Sequence, residues 1–312
     1  MKILVTGAFG YLGGRISFHF SQLGHEIIMA SRTKKQKPDW LSRGKVITID
    51  WDNIYSLRDA CKDVNLVIHT AGINSEESSK NPELAYKINA IGTRELFKAA
   101  QFSDVNRFVY ISTAHVYSAP LVGSISEASP TTNNHPYATS HLDGEKFILI
   151  ENQKKIKSIV LRLSNAFGAP IFKEAGCWSL LANDLCRQVA ISRKIILNSS
   201  GQQMRNFIPI SDIMQGLQKL LFTSLNHNNY IFNLGSELNM SVYDFAEIVA
   251  KVAHKNLGYL PVIIRKKNTY QTNKLPFTYE IRKIKELGYL PKNLIENEIN
   301  DTINFCFDNF KS

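Results

Sequence analysis

Residues 2–14 read KILVTGAFGYLGG, an apolar strand running straight into three glycines, Gly7, Gly10 and Gly13, with a helical pattern behind them. This feature constrains the fold more than any other. Gly7 permits the tight turn off the strand, Gly10 lets backbone approach a ligand, and Gly13 lets the helix pack against the strand. The helix N-terminus then turns its amides and the positive end of its dipole toward the loop, which suits a pyrophosphate. The strand–loop–helix context makes this a dinucleotide-binding βαβ unit, with Phe9, Tyr11 and Leu12 expected beside the glycines at the cofactor.

The chain continues in the same rhythm. Apolar strand-like runs at Lys2–Thr6, Glu26–Ala30, Val46–Ile49, Leu66–Thr70, Phe108–Ser112 and Ser158–Leu163 alternate with helix-length segments at Tyr11–Leu23, Tyr55–Lys62, Pro82–Gln101 and Tyr137–Glu151. Strands this apolar, separated by helices, predict a parallel sheet covered on both faces, an α/β Rossmann-type doubly wound domain over residues 1–168. After Gly168 the rhythm loosens. Helical patterns at Cys177–Ile191, Ser211–Phe222 and Ser241–His254, short strands at Lys194–Leu197, Asn229–Leu234 and Val262–Arg265, and a helical stretch after Tyr279 read as a smaller mixed substrate lobe, residues 169–312. Its segments around 205–235 are expected to pack back on the first domain.

The second strand selects the cofactor. An NAD site wants an acidic residue at that strand's end, about 20 residues past the loop, to hold the ribose 2′-hydroxyl. Here the strand ends in Ser31-Arg32, with Lys34 and Lys35 following, and Glu26 sits at its other end. Cations in that place predict NADP(H) preference, with NAD(H) possible. Asp50 and Trp51, closing the third strand, are expected at the adenine. Thr70, Ala71 and Gly72, closing the fourth, are expected beside the pyrophosphate and ribose.

Composition matters mainly for what it excludes. The net charge of +10 favours anionic partners. The Lys/Arg residues, however, come in short scattered runs, Lys34-Lys35, Lys154-Lys155, Arg265-Lys266-Lys267 and Arg282-Lys283, without interleaved aromatics, so no nucleic-acid partner is expected. Four cysteines without C-x-x-C spacing suggest neither a disulfide framework nor a metal site. The N-terminus reads as a strand rather than a signal peptide, and no apolar run spans a membrane, so a cytoplasmic protein is expected.

A wider resemblance rests on four motifs: TGxxGxxG from Thr6 to Gly13, YKINAIGTREL around Asn89, YISTAHVY over 110–117, and PYATSHLDGEKF from Pro136. Together they make the chain similar to extended short-chain dehydrogenase/reductases, the NAD(P)-dependent epimerases, dehydratases and reductases of nucleotide sugars. The resemblance implies cofactor contact at Asn89, a catalytic hydroxyl at Thr113 and a catalytic phenol at Tyr137. It also implies a homodimer paired through the helices at Pro82–Gln101 and Tyr137–Glu151. The chemistry fits these residue types: a phenol can pass a proton to or from a carbonyl oxygen while a hydroxyl hydrogen-bonds the same oxygen.

One position departs from the family pattern. Where the family has Tyr-x-x-x-Lys, this chain has Tyr137 followed by His141, on the same helix face. The family lysine holds the nicotinamide ribose and lowers the tyrosine pKa. A histidine, largely neutral at pH 7, would anchor the ribose and depress the phenol less. Oxidation needs tyrosinate and suffers from that loss; reduction needs the protonated phenol and does not.

Downstream, LRLSNAFG resembles the family's LRxxNxxG and places Asn165 near cofactor or substrate. GQQMRNFIPISD resembles G-x-x-x-R-D-F-x-x-x-x-D, with Arg205 expected on the substrate's phosphates and Asp212 expected to cap the next helix. His115, two past Thr113, is expected to face the sugar. The leading expectation is therefore an NADP(H)-dependent oxidoreductase that reduces the keto group of a nucleoside-diphosphate sugar. The first alternative is an NAD(P)-dependent nucleotide-sugar epimerase or dehydratase, although Ala114 and His115 stand where dehydratases generally carry a carboxylate. The second alternative is a catalytically impaired NADP-binding regulatory protein.

Overall fold

The structure is a computed structural model that describes residues 1–152, 156–227, 229–266 and 275–310. Of the basic runs, Lys154, Lys155 and Lys267 lie outside these residues. No helix among the described residues is long and apolar enough to cross a membrane.

The chain begins β1 (Lys2–Thr6), α1 (Tyr11–Gln22), β2 (Glu26–Ser31), β3 (Gly44–Thr48), α2 (Ile54–Cys61), β4 (Leu66–His69), α3 (Ser75–Lys80) and α4 (Pro82–Ala85). A π-helical segment, Tyr86–Gly92, leads into α5 (Thr93–Phe102) and β5 (Arg107–Thr113). Next come β6 (Gly123–Ile125), α6 (Pro136–Ile150), β7 (Lys157–Leu163), β8 (Asn165–Phe167), α7 (Leu181–Ser192), β9 (Lys194–Leu197), β10 (Met204–Pro209), α8 (Ile210–Phe222) and β11 (Asn229–Leu234). The last elements are β12 (Asn239–Ser241), α9 (Val242–Leu257), β13 (Val262–Arg265), β14 (Phe277–Tyr279), α10 (Arg282–Lys285) and α11 (Ile295–Phe310).

The main sheet has seven strands in the order β11-β7-β5-β4-β1-β2-β3, with parallel pairing from β7 through β3. The apolar runs form these strands because both faces are covered: β4 is buried along its whole length, as is β1 from Ile3 to Thr6. Strand order reverses between β1 and β4, so the crevice outside their carboxyl ends is where a doubly wound sheet binds ligands. The loop after β1 carries Gly7 and Gly10, and the loop after β4 carries Thr70, Ala71 and Gly72.

The described residues fall into two compact units. Unit 1 comprises residues 1–119, 129–163 and 223–232; unit 2 comprises 120–128, 164–222 and 233–312. Unit 1 holds a core of Leu4, Ile28, Val67, Phe97, Phe108 and Val160 among others. Unit 2 holds its own core around Phe167, Leu185, Val189, Phe207, Phe245 and Ile299, with a three-stranded sheet β12-β10-β8 and two small pairs, β13-β9 and β14-β6. The four cysteines are buried thiols.

Two elements differ from expectation. The single helix expected over Pro82–Gln101 is α4, a π-helical turn and α5, because Asn89 is drawn inward to hydrogen-bond across the turn. Asp212 is no N-cap. It lies inside α8 and is buried, and its carboxylate accepts the backbone N–H groups of Lys292 and Asn293 at 2.8 and 3.0 Å.

Candidate active site

The glycine loop is shaped by contacts too close for any side chain. Gly7 has a φ of +65°, and a Cβ there would stand 2.9 Å from both the Ala71 N and the Thr70 Oγ1. A Cβ on Gly13 would stand 2.2 Å from the Gly7 carbonyl oxygen, so α1 seats directly on the turn. At Gly10 the sole close neighbour of an added Cβ is that same carbonyl oxygen, at 3.1 Å. Gly10 is also the N-cap of α1 and brings no side chain to its first turn. A bare backbone at a helix N-terminus fits a pyrophosphate.

A cavity of about 650 Å³ opens over this loop. Gly7, Phe9, Gly10, Arg32, Asp50, Trp51, Thr70, Ala71 and Gly72 all line it. Tyr11 and Leu12 are half-buried in the first turn of α1, and Gly13 is internal; these three do not line it. Arg32 is exposed at the cavity, and the Nζ of Lys35 lies 5.9 Å from the centre of the Phe9 ring. The cavity's other wall comes from the α4 and π-helical segment through Leu84, Lys87, Ile88 and Ile91. There Lys87 Nζ pairs with Asp52 at 2.9 Å, a contact between residues that sequence patterns did not single out.

Asn89 is fully buried, outside the cavity lining. Its Oδ1 accepts the Ile73 N–H at 2.9 Å and its Nδ2 donates to Ser140 Oγ at 3.1 Å, so it ties the loop after β4 to α6. Gly72 stands at the junction: a Cβ there would lie 3.0 Å from Asn89 Oδ1 and 3.9 Å from His141 Cε1.

Thr113, Tyr137 and His141 come together within unit 1. Thr113 is the last residue of β5, and its Oγ1 accepts the His115 N–H at 3.1 Å, which leaves its own proton to donate. Tyr137 opens α6 behind Pro136, where His135 caps the helix by accepting the Tyr137 N–H. Burial raises the Tyr137 phenol above its ordinary pKa, and the Thr113 hydroxyl opposes the rise. The Tyr137 and His141 rings meet edge to face, 4.6 Å between centres. His141 is 6% exposed. Burial, and secondarily the nearby His115, lowers its pKa to about 4, so it is a neutral imidazole at pH 7. His115 is exposed, with its ring 6.2 Å from that of Tyr137.

Behind this group lies a buried polar layer that the sequence patterns did not reveal. Tyr110 Oη stands 2.8 Å from His141 Nδ1. His69 stacks on Tyr110 and joins Thr6 to Thr93 through its two ring nitrogens. Next to it, Glu145 accepts two hydrogen bonds from the Arg162 Nε and one from its Nη2, and a third donor, the Ser112 hydroxyl, at 2.5 Å. Tyr110 stands between Val109 and Ile111, and His69 follows Leu66, Val67 and Ile68; a hydroxyl or imidazole in such an apolar run was the one available signal.

In unit 2, Asn165 and Arg205 are half-buried on β8 and β10. Asn165 donates to the Asn206 carbonyl at 3.0 Å, and burial lowers the Arg205 pKa. Asn206, in the place of the family aspartate, uses its amide in both senses: Nδ2 donates to the Ser236 carbonyl and Oδ1 accepts the Ser236 N–H. An aspartate would have no proton for the first of these bonds.

The model of the NAD dependent epimerase/dehydratase family matches residues 3–235. The chain belongs to that family. UDP-glucose 4-epimerase of Haemophilus influenzae is 28% identical, with 100% of this chain and 99% of that protein covered. The dTDP-D-glucose 4,6-dehydratase of Homo sapiens is 27% identical over 79% of this chain and 70% of its own length. Among solved structures, the UDP-glucuronic acid 4-epimerase of Bacillus cereus in complex with NAD shares the fold with a TM-score of 0.83 at 22% identity, 100% of each chain covered.

Membership in the epimerase/dehydratase family bears on the two enzymatic readings drawn from the sequence. It agrees with the alternative, an epimerase or dehydratase. The reading placed first, net reduction of a keto sugar with NADPH, finds no support in these relatives, which carry epimerase and dehydratase names.

Proposed function

We propose that this chain is an NAD(P)-dependent nucleotide-sugar oxidoreductase of the epimerase type, which oxidises a sugar hydroxyl and reduces the same carbon again without net use of cofactor. The observation that carries the reading is the placement of Thr113 at the carboxyl end of β5 and of Tyr137, edge to face with His141, on α6, in the unit that holds the glycine-loop cavity. The family of the relatives and the dinucleotide shape of the loop support it further. Gly7 and Gly10 would hold the cofactor's pyrophosphate, Asp50 and Trp51 its adenosine, and His141 the ribose at the nicotinamide end. When bound, the nicotinamide takes and returns a hydride. Tyr137 takes and returns the proton at the sugar oxygen, and Thr113 donates a hydrogen bond to that oxygen. Arg205 would meet the nucleoside diphosphate, for which a guanidinium suits by charge and geometry.

A second reading, net reduction, is favoured by one observation: His141 is neutral, so no cation at this position stabilises tyrosinate. Arg32 at the cavity supports NADP(H) over NAD(H) in either case. The test is incubation of the purified chain with UDP-glucose, UDP-glucuronic acid and dTDP-glucose in the presence of NAD+ or NADP+, and, in parallel, with a 4-keto nucleotide sugar and NADPH. Interconversion of sugars at constant 340 nm absorbance is the expected result. Stoichiometric loss of NADPH on a keto sugar would establish the second reading instead, and binding of cofactor with neither change would overturn both.

A further inference from the structure

We infer that Tyr110 is a positioning residue that locks His141 in the Nε2–H tautomer, turning the histidine into a fixed, uncharged hydrogen-bond donor. The role of that donor rests on the function proposed above; the tautomer itself does not.

The inference follows from counting protons. A neutral imidazole has one N–H and one lone pair. Tyr110 is 1% exposed, and burial raises its pKa well above the ordinary value, so its hydroxyl keeps its proton. Two acceptors lie near that proton: His141 Nδ1 at 2.8 Å and the Asn89 carbonyl at 3.3 Å. The carbonyl already accepts the Thr93 hydroxyl at 2.6 Å. Thr93 is committed to that direction because a carbonyl can only accept; its oxygen also meets His69 Nε2 at 2.9 Å, while Thr6 Oγ1 meets the other ring nitrogen at 2.7 Å. The shorter bond with the uncommitted acceptor therefore takes the Tyr110 proton. His141 Nδ1 carries the lone pair, and Nε2 carries the hydrogen.

Two further observations point the same way. Among the described residues Nε2 has no hydrogen-bond partner, so the ring's one donor is left for a ligand. Its neighbouring carbon, Cε1, lies 3.9 Å from the place of a Gly72 Cβ, and Gly72 lines the glycine-loop cavity. The contact is also built into the helix. A Cβ on Gly144 would stand 3.0 Å from the Tyr110 hydroxyl oxygen and 2.8 Å from the Asn89 carbonyl oxygen. Glycine in mid-helix costs about 0.5–1 kcal/mol relative to alanine, and here it admits the hydroxyl against α6.

The test is the long-range 1H–15N spectrum of 15N-histidine-labelled protein, with His141 assigned by its loss in His141→Gln. A protonated Nε2 and an unprotonated Nδ1 are expected from about pH 6 to 8. Tyr110→Phe keeps the ring that stacks on His69 and His141 and removes the donor. It should move the Nδ1 resonance, admit the second tautomer and weaken NADP+ or NAD+ binding about tenfold, the loss of roughly one oriented hydrogen bond. In a His141→Lys background the same change should alter cofactor affinity less than about twofold, since a lysine has no tautomer to set. A protonated Nδ1 in the unaltered protein would overturn the inference without any variant, as would nitrogen shifts and affinity indifferent to Tyr110→Phe. Neither readout needs turnover, so absence of sugar conversion would count against the proposed function alone.

Discussion

At the scale of single residues, charge and proton count decide what the site can do. Arg32 stands exposed at the cavity where a 2′-phosphate would lie, and a guanidinium–phosphate contact contributes about 2 kcal/mol. Arg32→Ala should therefore weaken NADP+ binding roughly thirtyfold while leaving NAD+ within about twofold. Calorimetric titration of both cofactors checks this, and equal losses for the two would show that Arg32 does not read the phosphate. At the other end of the site, the Tyr137 phenol is raised and His141 is neutral, so tyrosinate is scarce near pH 7. An oxidative half-reaction that uses tyrosinate should then accelerate with pH, about tenfold per unit until the phenol titrates. His141→Lys should move that rise to lower pH by adding a cation beside the phenol. A pH profile that is flat in the unaltered enzyme, or unmoved by the substitution, would remove Tyr137 from the oxidative role.

At the scale of elements, the site is a set of close approaches between strand ends and helices. Gly144 is the clearest case. Alanine there gains helix propensity, but its Cβ meets a backbone carbonyl oxygen at 2.8 Å, which cannot move without shifting the π-helical turn. Overpacking of this kind costs about 1–3 kcal/mol, more than the propensity returns. Gly144→Ala should lower the urea midpoint accordingly, whereas Gly176→Ala, with nothing within 4 Å, should leave it unchanged. Equal midpoints for the two variants would mean that α6 can slide and that the approach is not built in. The same elements show what a sequence can reveal. The strands of the main sheet were legible because a buried parallel strand must be apolar along its length, and Gly7, Gly10 and Gly13 because tight backbone contact excludes side chains. Thr113 and Tyr137 were singled out by their motifs, and the fold places both in unit 1. The π-helical turn was not, because it arises from a side chain, Asn89, reaching inward for partners on two other elements. Tyr110 and His69 were hidden for a related reason: their polar atoms are satisfied by residues 21 to 63 positions away. The small strands β6, β12 and β14 have three residues each, too few for alternation to register.

At the scale of the molecule, two neutral histidines buried in one unit tie stability to pH. His69 is fully buried between Thr6 and Thr93, and burial, helped by His141, lowers its pKa to about 3; that of His141 is lowered to about 4. In the unfolded chain both titrate near 6.5. Above that value both states are neutral at these rings and the fold bears no cost. Below it the unfolded chain binds protons that the folded chain refuses, so stability falls as pH drops. The loss continues to about pH 4 for His141 and to about pH 3 for His69. Each histidine contributes a slope of up to about 1.4 kcal/mol per pH unit within its window. Both belong to unit 1, as do Trp40 and Trp51, while Trp178 belongs to unit 2. Fluorescence of a Trp178→Phe variant therefore reports on the unit that carries them. Its urea midpoint should hold steady from about pH 8 to 7 and fall steeply between about pH 6 and 4. His69→Asn should start lower, because it breaks the contact with Thr6 or Thr93, yet descend less steeply, because one titrating ring has gone. A midpoint unchanged between about pH 7 and 5 would mean that these rings accept protons inside the fold. His141 would then titrate near its ordinary value, and its burial would not hold it neutral below about pH 6.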